Sequence, residues 1–289
     1  MAIPALKSII HIPELVESQG LKGLAADRLR IEACLARLLQ EGRSSLCSVP
    51  EAMDYAILGE AQRIRPILAV RVARMLGAET EHSLRAAAAV EVLHCASLIV
   101  DDLPCMDNEC FRRGRKTVHL QFGESTALLA SFSMVALAGR MVVELPATDR
   151  EYTRLRRFQI SLLRTLDSSA LVGGQSLDLS LQGEDRDLMR GEVNAMKTVP
   201  LFRLAVEAGC VSHPMGVPPE LEDFGRQYGL AFQLTDDYID GEFENEETLY
   251  ERYEQCRACL RHFGANADPL LELVDYLAER AEAKSRSYR

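Results

Sequence analysis

Apolar residues recur at intervals of three and four along most of the chain, and no alternating run predicts a strand. Several segments are apolar around most of their circumference, as in the inner layer of a large bundle. Proline and glycine mark the breaks, at Pro104, Gly114, Gly173-Gly174, 214–218 and 264–268. We therefore expect an all-α fold, a single large helical bundle. The predicted helices are 25–41, 50–76, 81–102, 123–144, 150–171, 188–208, 219–240, 248–263 and 269–285.

The composition does not shift along the 289 residues, which predicts one domain over 1–289, with 1–24 as a partly irregular N-terminal extension. The most apolar stretch, 86–100, contains Glu91 and His94 and is shorter than a bilayer requires, so we expect no transmembrane segment. The first residues lack an apolar signal core, and eight dispersed cysteines are typical of a reducing compartment. We expect a cytoplasmic protein.

The net charge of −10 argues against a nucleic-acid partner, because phosphate backbones are bound by clustered lysine and arginine. It also argues against docking on an anionic membrane.

Two aspartate clusters each follow an apolar run: Asp101-Asp102 with Asp107, and Asp236-Asp237 with Asp240. Carboxylates that repel one another indicate a cation between them. Clustered oxygens suit Mg²⁺, which keeps several waters and often shares substrate phosphates. Two such clusters facing each other would bind a diphosphate through bridging metals.

The surroundings of the first cluster fit the same chemistry. His94 and Asp101 are two helical turns apart and share a face, and Pro104 ends the helix so that the chain can return. Arg112 and Arg113 follow, with the forked donors that bind phosphate oxygens. The alternative is an acidic helix cap beside a solvated basic loop.

With these two clusters and the paired arginines, the chain resembles the polyprenyl synthetase family, the trans-isoprenyl diphosphate synthases. The resemblance extends from about residue 25 to the C-terminus. The two clusters resemble the two aspartate-rich motifs of that family. The matching segments between and around them are Arg63-Ile-Arg65-Pro66, Phe122-Gly123-Glu124, Gly173-Gly174-Gln175 and Lys197-Thr198.

The resemblance implies the isoprenoid-synthase bundle, a homodimer, and condensation of isopentenyl diphosphate with an allylic diphosphate held by three Mg²⁺. The implied metal ligands are Asp101, Asp102, Asp107, Asp236 and Asp240. Arg112, Lys197 and Gln233 would bind the allylic substrate, and Arg63, His94 and Arg113 would bind isopentenyl diphosphate. Thr198 and Gln175 would direct oxygen dipoles at the carbocation. The implied catalytic set is Asp101, Asp102, Asp236, Lys197, Thr198 and Gln175.

The chain departs from the family pattern in two important places. Gln62 stands where the homoallylic site usually has a phosphate-binding lysine, which predicts binding weaker by roughly ten- to a hundredfold. The segment after Asp240 is short and acidic, whereas the family usually has a longer loop with lysines. Smaller departures are Glu109-Cys110, where aspartates are common, and the segment 128–134.

Product length in this family follows the residues before the first motif. Ala96 and Ser97 are small here, which predicts a deep shaft and a geranylgeranyl product, unless Leu93 or a neighbouring helix forms a floor. Farnesyl diphosphate is the next candidate. Two other readings stay open: a weakly active or inactive partner subunit of a synthase, and an enzyme of altered allylic diphosphate chemistry such as a class I terpene cyclase.

Overall fold

The computed structural model describes residues 19–41, 46–181 and 183–287. The first half contains α1 (Gln19–Gln40), α2 (Val49–Ile57), α3 (Ile64–Met75), α4 (Glu81–Asp101), the strands β1 (Phe111–Arg112) and β2 (Arg115–Lys116), α5 (Val118–Phe122) and α6 (Glu124–Val143). The second half contains α7 (Asp149–Arg164), α8 (Leu171–Ser180), α9 (Gly183–Cys210), α10 (Pro219–Asp240), α11 (Glu246–Leu260), a 3-10 helix (Arg261–Ala267) and α12 (Asp268–Ser287). The prediction of an all-α bundle is confirmed.

Helix α4 forms the centre of the bundle, and it packs against α3, α6 and α9. Its residues 86–90 are completely buried, as expected for a helix that is apolar on every side. Helix α10 packs on α9, α11 and α12. Helix α3 contacts both α4 and α9. The C-terminal ends of α4 and α10, which carry the two aspartate clusters, are therefore positioned by a shared partner, α9.

Two described helices, α4 and α6, are long and apolar enough to cross a membrane by length and composition alone. In α4, 72% of the apolar window is buried inside the fold, and in α6 the share is 50%. Core helices of a bundle meet the same criterion, so the prediction that no segment spans a membrane stays a prediction.

The predicted helix 50–76 is wrong, because the structure divides it into α2 and α3. The chain breaks over residues 58–63 and enters α3 through Arg63, whose φ of 56° is left-handed. The Arg63 side chain donates to the carbonyl oxygens of Ile57 and Gly59, and it thereby ties the break together. The break falls in Leu-Gly-Glu-Ala-Gln-Arg, which has one glycine and no proline, and it is held by the contacts of the Arg63 side chain, which the local pattern does not show.

The predicted break at Gly173-Gly174 is also wrong, since both glycines lie inside α8. Here glycine permits close packing: a Cβ on Gly173 would lie 1.8 Å from the Ser168 carbonyl oxygen, and one on Gly174 would lie 2.8 Å from the Met196 Cβ. The turn lies earlier, between α7 and α8, so the predicted helix 150–171 is too long.

Two smaller differences complete the comparison. Helix α1 begins at Gln19, inside the segment predicted as irregular, and residues 1–18 lie outside the described residues. The β1–β2 hairpin was not predicted, because strands of two residues have no detectable period. It pairs Phe111 with Lys116 and Arg112 with Arg115.

Candidate active site

The first acidic end is formed where α4 stops and the chain folds back. The amide of Asp107 donates to the carbonyl oxygen of Asp101 at 2.9 Å, which brings the two predicted ligands together as Pro104 suggested. Asp107 is exposed, and its carboxylate accepts a hydrogen bond of 3.3 Å from Nε2 of Gln175 on α8. The Oε1 atom of Gln175 is buried and has no hydrogen-bond partner among the described residues.

Asp101 carries an uncompensated charge. Burial raises the pKa of its carboxyl from 3.8 to about 6, with a further contribution from Asp107, while Lys197 acts in the opposite direction. Lys197 itself lies on α9 and donates to Asp178 at 2.8 Å. A carboxylate so placed attracts a cation, and Lys197 alone does not satisfy it.

Asp102, which was predicted to bind metal, pairs with an arginine in the structure. Its carboxylate is 4% exposed and accepts from Arg112, at 3.0 Å from Nε and 2.5 Å from Nη2. The next residue on a helix points about 100° away from its neighbour, so Asp101 and Asp102 cannot share one face. In this arrangement Asp102 positions Arg112, and its role as a metal ligand stays a prediction.

The hairpin that carries Arg112 and Arg113 is held by Tyr55 of α2. The Tyr55 hydroxyl donates to the Lys116 carbonyl oxygen at 2.9 Å, and Arg115 lies 3.7 Å above the Tyr55 ring. Arg113 has a left-handed φ of 53°, is exposed, and lines a cavity of about 50 Å³ between the hairpin, α2 and α4.

The second acidic end is the last turn of α10. Asp236 accepts from Nη2 of Arg280 on α12 at 2.8 Å. Asp237 accepts from Gln233 at 2.8 Å and from Asn194 at 3.4 Å. Burial raises the pKa of both carboxyls, against the opposing effects of Arg280 and Gln233 respectively. Asp240, at the end of the helix, is exposed.

Helix α9 connects the two ends. Thr198 donates to Oε1 of Gln233 at 2.7 Å, and Gln233 donates in turn to Asp237. The residue before it, Lys197, acts on Asp101. The structure therefore brings the predicted residues Gln175, Lys197, Thr198 and Gln233 between the two acidic ends, and their roles stay predictions.

A cationic cluster lies beside them, between α3 and α4. Nη1 of Arg65 is 3.2 Å from Nε2 of His94. Because arginine can only donate, Nε2 accepts and the imidazole proton is on Nδ1. That Nδ1 is buried and has no partner among the described residues. Burial lowers the pKa of Arg65 to about 10, although Glu91 opposes it, and Arg113 lowers it further. Burial and Arg65 also hold the pKa of His94 well below its usual value.

This arrangement does not support Arg63 as a substrate-binding residue. Its side chain is 0% exposed and forms an ion pair of 2.7 Å with Glu91, which leaves it no accessible face. Arg65 is the arginine that reaches His94. The sequence contained the signal, since both arginines stand in the quoted motif, but only the buried Glu91 separates their roles. Gln62 is exposed.

The predicted chain-length residues lie in the α4–α6 contact. Leu93 and Ala96 are buried, and the Ser131 hydroxyl of α6 donates to the Ala96 carbonyl oxygen at 2.9 Å. Ser97 is partly buried and donates to the His94 carbonyl oxygen at 2.8 Å. Helix α6 therefore packs directly against α4 at Ala96, and the role of these residues in product length stays a prediction.

The donor chemistry fits Mg²⁺, since Asp101, Asp107, Asp236 and Asp240 offer carboxylate oxygens, and a cation beside Asp101 would favour the ionised form that burial disfavours. Within residues 19–41, 46–181 and 183–287, no three or more Asp, Glu, His or Cys side chains form a preassembled metal site. The remaining ligands would be water and substrate oxygens, as is common for Mg²⁺.

Comparisons with known proteins all point to one family. Residues 48–251 match the family model described as Polyprenyl synthetase. Geranylgeranyl pyrophosphate synthase 4 of Arabidopsis thaliana is 36% identical over 207 residues, which are 69% of this chain and 55% of that protein. Farnesyl diphosphate synthase of Haemophilus influenzae is 38% identical over 202 residues, 68% of each. The chain spans only 54% to 62% of the length of the Arabidopsis relatives.

Solved structures agree. A geranyltransferase from Legionella pneumophila superposes with a TM-score of 0.81 at 32% identity, covering 91% of this chain and 98% of that one. The apo structure of an FPP/GFPP synthase from Zymomonas mobilis gives 0.80 at 29% identity, covering 89% and 99%.

Proposed function

The chain belongs to the polyprenyl synthetase family, and from that premise we propose that it is a Mg²⁺-dependent trans-prenyl diphosphate synthase. It would condense isopentenyl diphosphate with an allylic diphosphate, releasing pyrophosphate. One observation carries the proposal: two acidic ends, of α4 and α10, are joined across α9 beside a cationic cluster that has unused donors. That arrangement fits two diphosphates, one bound through metal and one bound directly.

In this proposal each group of residues has its own role in the reaction. Bound Mg²⁺ would neutralise charge that develops on the leaving diphosphate. Lys197 and Arg112 would add fixed positive charge there, and preorganised charge of this kind lowers the barrier to ionisation. The oxygens of Thr198 and Gln175 would face the allylic cation. The buried residues of α4 would help to exclude water from that cation.

Isopentenyl diphosphate would bind at the cationic cluster. Arg65 and the Nδ1–H of His94 supply donors, and Arg113 closes the group from the hairpin. The pKa of Arg65, lowered to about 10, still leaves it charged at neutral pH. An anion bound beside Arg65 would stabilise its charged form, which burial disfavours.

For the product we propose geranylgeranyl diphosphate, with farnesyl diphosphate next. The proposal rests on the small side chains of Ala96 and Ser97 on α4, beside which Ser131 of α6 contacts the Ala96 carbonyl oxygen. The relatives described above include proteins named for either product.

The test is an incubation of purified protein with isopentenyl diphosphate, Mg²⁺ and dimethylallyl, geranyl or farnesyl diphosphate, with products sized by mass spectrometry. The double variant Asp101→Ala/Asp236→Ala is the blank. A Mg²⁺-dependent C20 product absent from the blank supports both proposals, and a C15 product supports the synthase alone. Turnover of the allylic diphosphate without isopentenyl diphosphate would indicate the altered chemistry.

A partner-subunit role is the second candidate, and it is favoured by the acidic segment after Asp240 and by the exposed Gln62. One relative is named a heterodimeric geranylgeranyl pyrophosphate synthase large subunit.

We propose that α6 forms the subunit interface of a homodimer, because Leu128, Leu129 and Phe132 are exposed on it. Light scattering of the pure chain tests this, and a monomer with no activity from any primer would favour the partner role.

A further inference from the structure

The segment that joins α10 to α11 carries no positive charge. Residues 241–245 read Gly-Glu-Phe-Glu-Asn, directly after Asp236, Asp237 and Asp240. A site that binds diphosphate needs donors on this side too, because the carboxylates there repel the phosphate oxygens. Cations reach this side from other parts of the chain: Arg190 of α9 pairs with Glu242 at 3.3 Å, and the C-terminal helix α12 supplies Arg280, which pairs with Asp236.

Arg280 of α12 reaches the second acidic end. Its Nη2 donates to Oδ1 of Asp236 at 2.8 Å. Its guanidinium carbon lies 5.6 Å from the centre of the Phe232 ring and 5.8 Å from that of Tyr276. Arg65 lies 5.7 Å from the same Phe232 ring. The two arginines therefore approach one aromatic side chain from α3 and from α12.

Arg280 has donor capacity that Asp236 does not use. Its Nη1 is buried and makes no hydrogen bond to any described residue. A buried donor without an acceptor costs free energy, so an acceptor that reaches it is bound with a corresponding gain. The proposed function also assigns Asp236 to Mg²⁺, and a metal ion on that carboxylate competes with the Arg280 hydrogen bond.

We propose that Arg280 is a substrate-binding residue that donates to diphosphate oxygens and replaces the cations missing from 241–245. Asp236 holds the guanidinium against Phe232 and Tyr276 until a diphosphate enters. The inference rests on the proposed function. The diphosphate has two sources: the metal-bound group of the allylic substrate, and isopentenyl diphosphate beside Arg65.

Calorimetric binding without turnover tests the proposal and separates the sources. One arm titrates inorganic pyrophosphate with Mg²⁺, and the other titrates isopentenyl diphosphate in the same buffer without an allylic partner. Losing a charge-assisted hydrogen bond weakens binding by about 10- to 100-fold. We expect Arg280→Gln to show that loss in at least one arm, and the affected arm identifies the source. Unchanged affinity in both arms would overturn the proposal.

Three variants make the result specific. Arg280→Lys keeps the charge and should recover part of the loss; an affinity as low as that of Arg280→Gln would contradict a charge contact. Arg257→Gln is the matched control, since Arg257 pairs with Asp275 across α11 and α12 away from the site. An equal loss there would show a general charge effect and overturn the proposal. Arg280→Met, which retains the aliphatic contact, serves if Arg280→Gln does not fold.

Failure of the proposed function has a different signature. If the wild-type chain binds neither pyrophosphate with Mg²⁺ nor isopentenyl diphosphate, the synthase proposal itself fails. If it binds them and Arg280→Gln does not weaken that binding, only the role of Arg280 is wrong.

Discussion

The two acidic ends of the molecule obtain their counter-charge in different ways. The end of α4 is followed directly by a hairpin, and Arg112 from that hairpin pairs with the buried Asp102. The end of α10 is followed by a short acidic link, and its Asp236 pairs with Arg280, which comes from α12. The first end is completed by neighbouring sequence, whereas the second is completed only when the C-terminal helix packs. Similar motifs therefore have unequal local support.

The largest test of this comparison removes one ligand from each end. We expect Asp101→Ala and Asp236→Ala each to lower kcat/KM by about 10³-fold, because each removes charge that holds the metal–diphosphate group. Asp275→Ala, on the outer face of α12, is the control and should retain activity. A steady-state assay of product formation measures all three, and full activity without Asp236 would show that only the first end is functional.

The next largest effects concern two arginines at the start of α3. Arg65 interacts electrostatically with Asp236 at the second acidic end, whereas Arg63 forms a buried ion pair with Glu91. Arg65→Gln should raise KM for isopentenyl diphosphate by about 10- to 100-fold with little loss of stability. Arg63→Gln should instead lower the free energy of unfolding by about 3–5 kcal/mol, since Glu91 would stay buried without its partner.

Kinetics with each diphosphate varied in turn, together with urea unfolding, separates the two arginines. If Arg63→Gln folded normally and lost affinity for isopentenyl diphosphate, the assignment of roles would have to be exchanged.

The ion pairs Asp102–Arg112 and Asp236–Arg280 should differ in how much they contribute to the free energy of unfolding. Arg112→Gln should lower the free energy of unfolding by about 1–3 kcal/mol, because Asp102 is 4% exposed and loses its partner, while Arg112 is itself partly solvated. Arg280→Gln should cost less than about 1 kcal/mol, because water reaches Asp236. Chemical unfolding of the metal-free protein measures both. Equal losses would mean that the second end is as tightly locked as the first.

Charge on the proposed metal ligands gives an effect on stability that depends on pH. The pKa of Asp101 is about 6 in the folded protein against 3.8 ordinarily, so ionised Asp101 destabilises the fold. Its contribution to stability is present below about pH 4 and is lost as the pH rises through about 6.

Asp101→Asn should therefore stabilise the metal-free protein by about 1–3 kcal/mol at pH 8, with no gain below about pH 4. Asp236→Asn should gain less, because Arg280 opposes the shift there. Asp240→Asn, at an exposed position, should change little. Urea unfolding across this pH range is the measurement, and a gain that is independent of pH would contradict the electrostatic cause.

Much of the fold followed from the chain pattern because it depends on local periodicity. The buried helices α4 and α10 and the return of Asp107 beyond Pro104 were predicted, since apolar spacing and proline act over a few residues. The break before α3 and the packing role of Gly173-Gly174 were missed. Both depend on contacts with residues that the local pattern does not include.

The sequence by itself determined the helical class, the family and the two acidic ends, because each is written in consecutive residues. Only the tertiary structure decided which of two neighbouring arginines faces the site, since that depends on the position of Glu91 on another helix. It also turned Asp102 toward Arg112 and brought Arg280 to Asp236. Charges separated along the chain compensate each other only at distances of a few ångströms, and packing alone sets those distances.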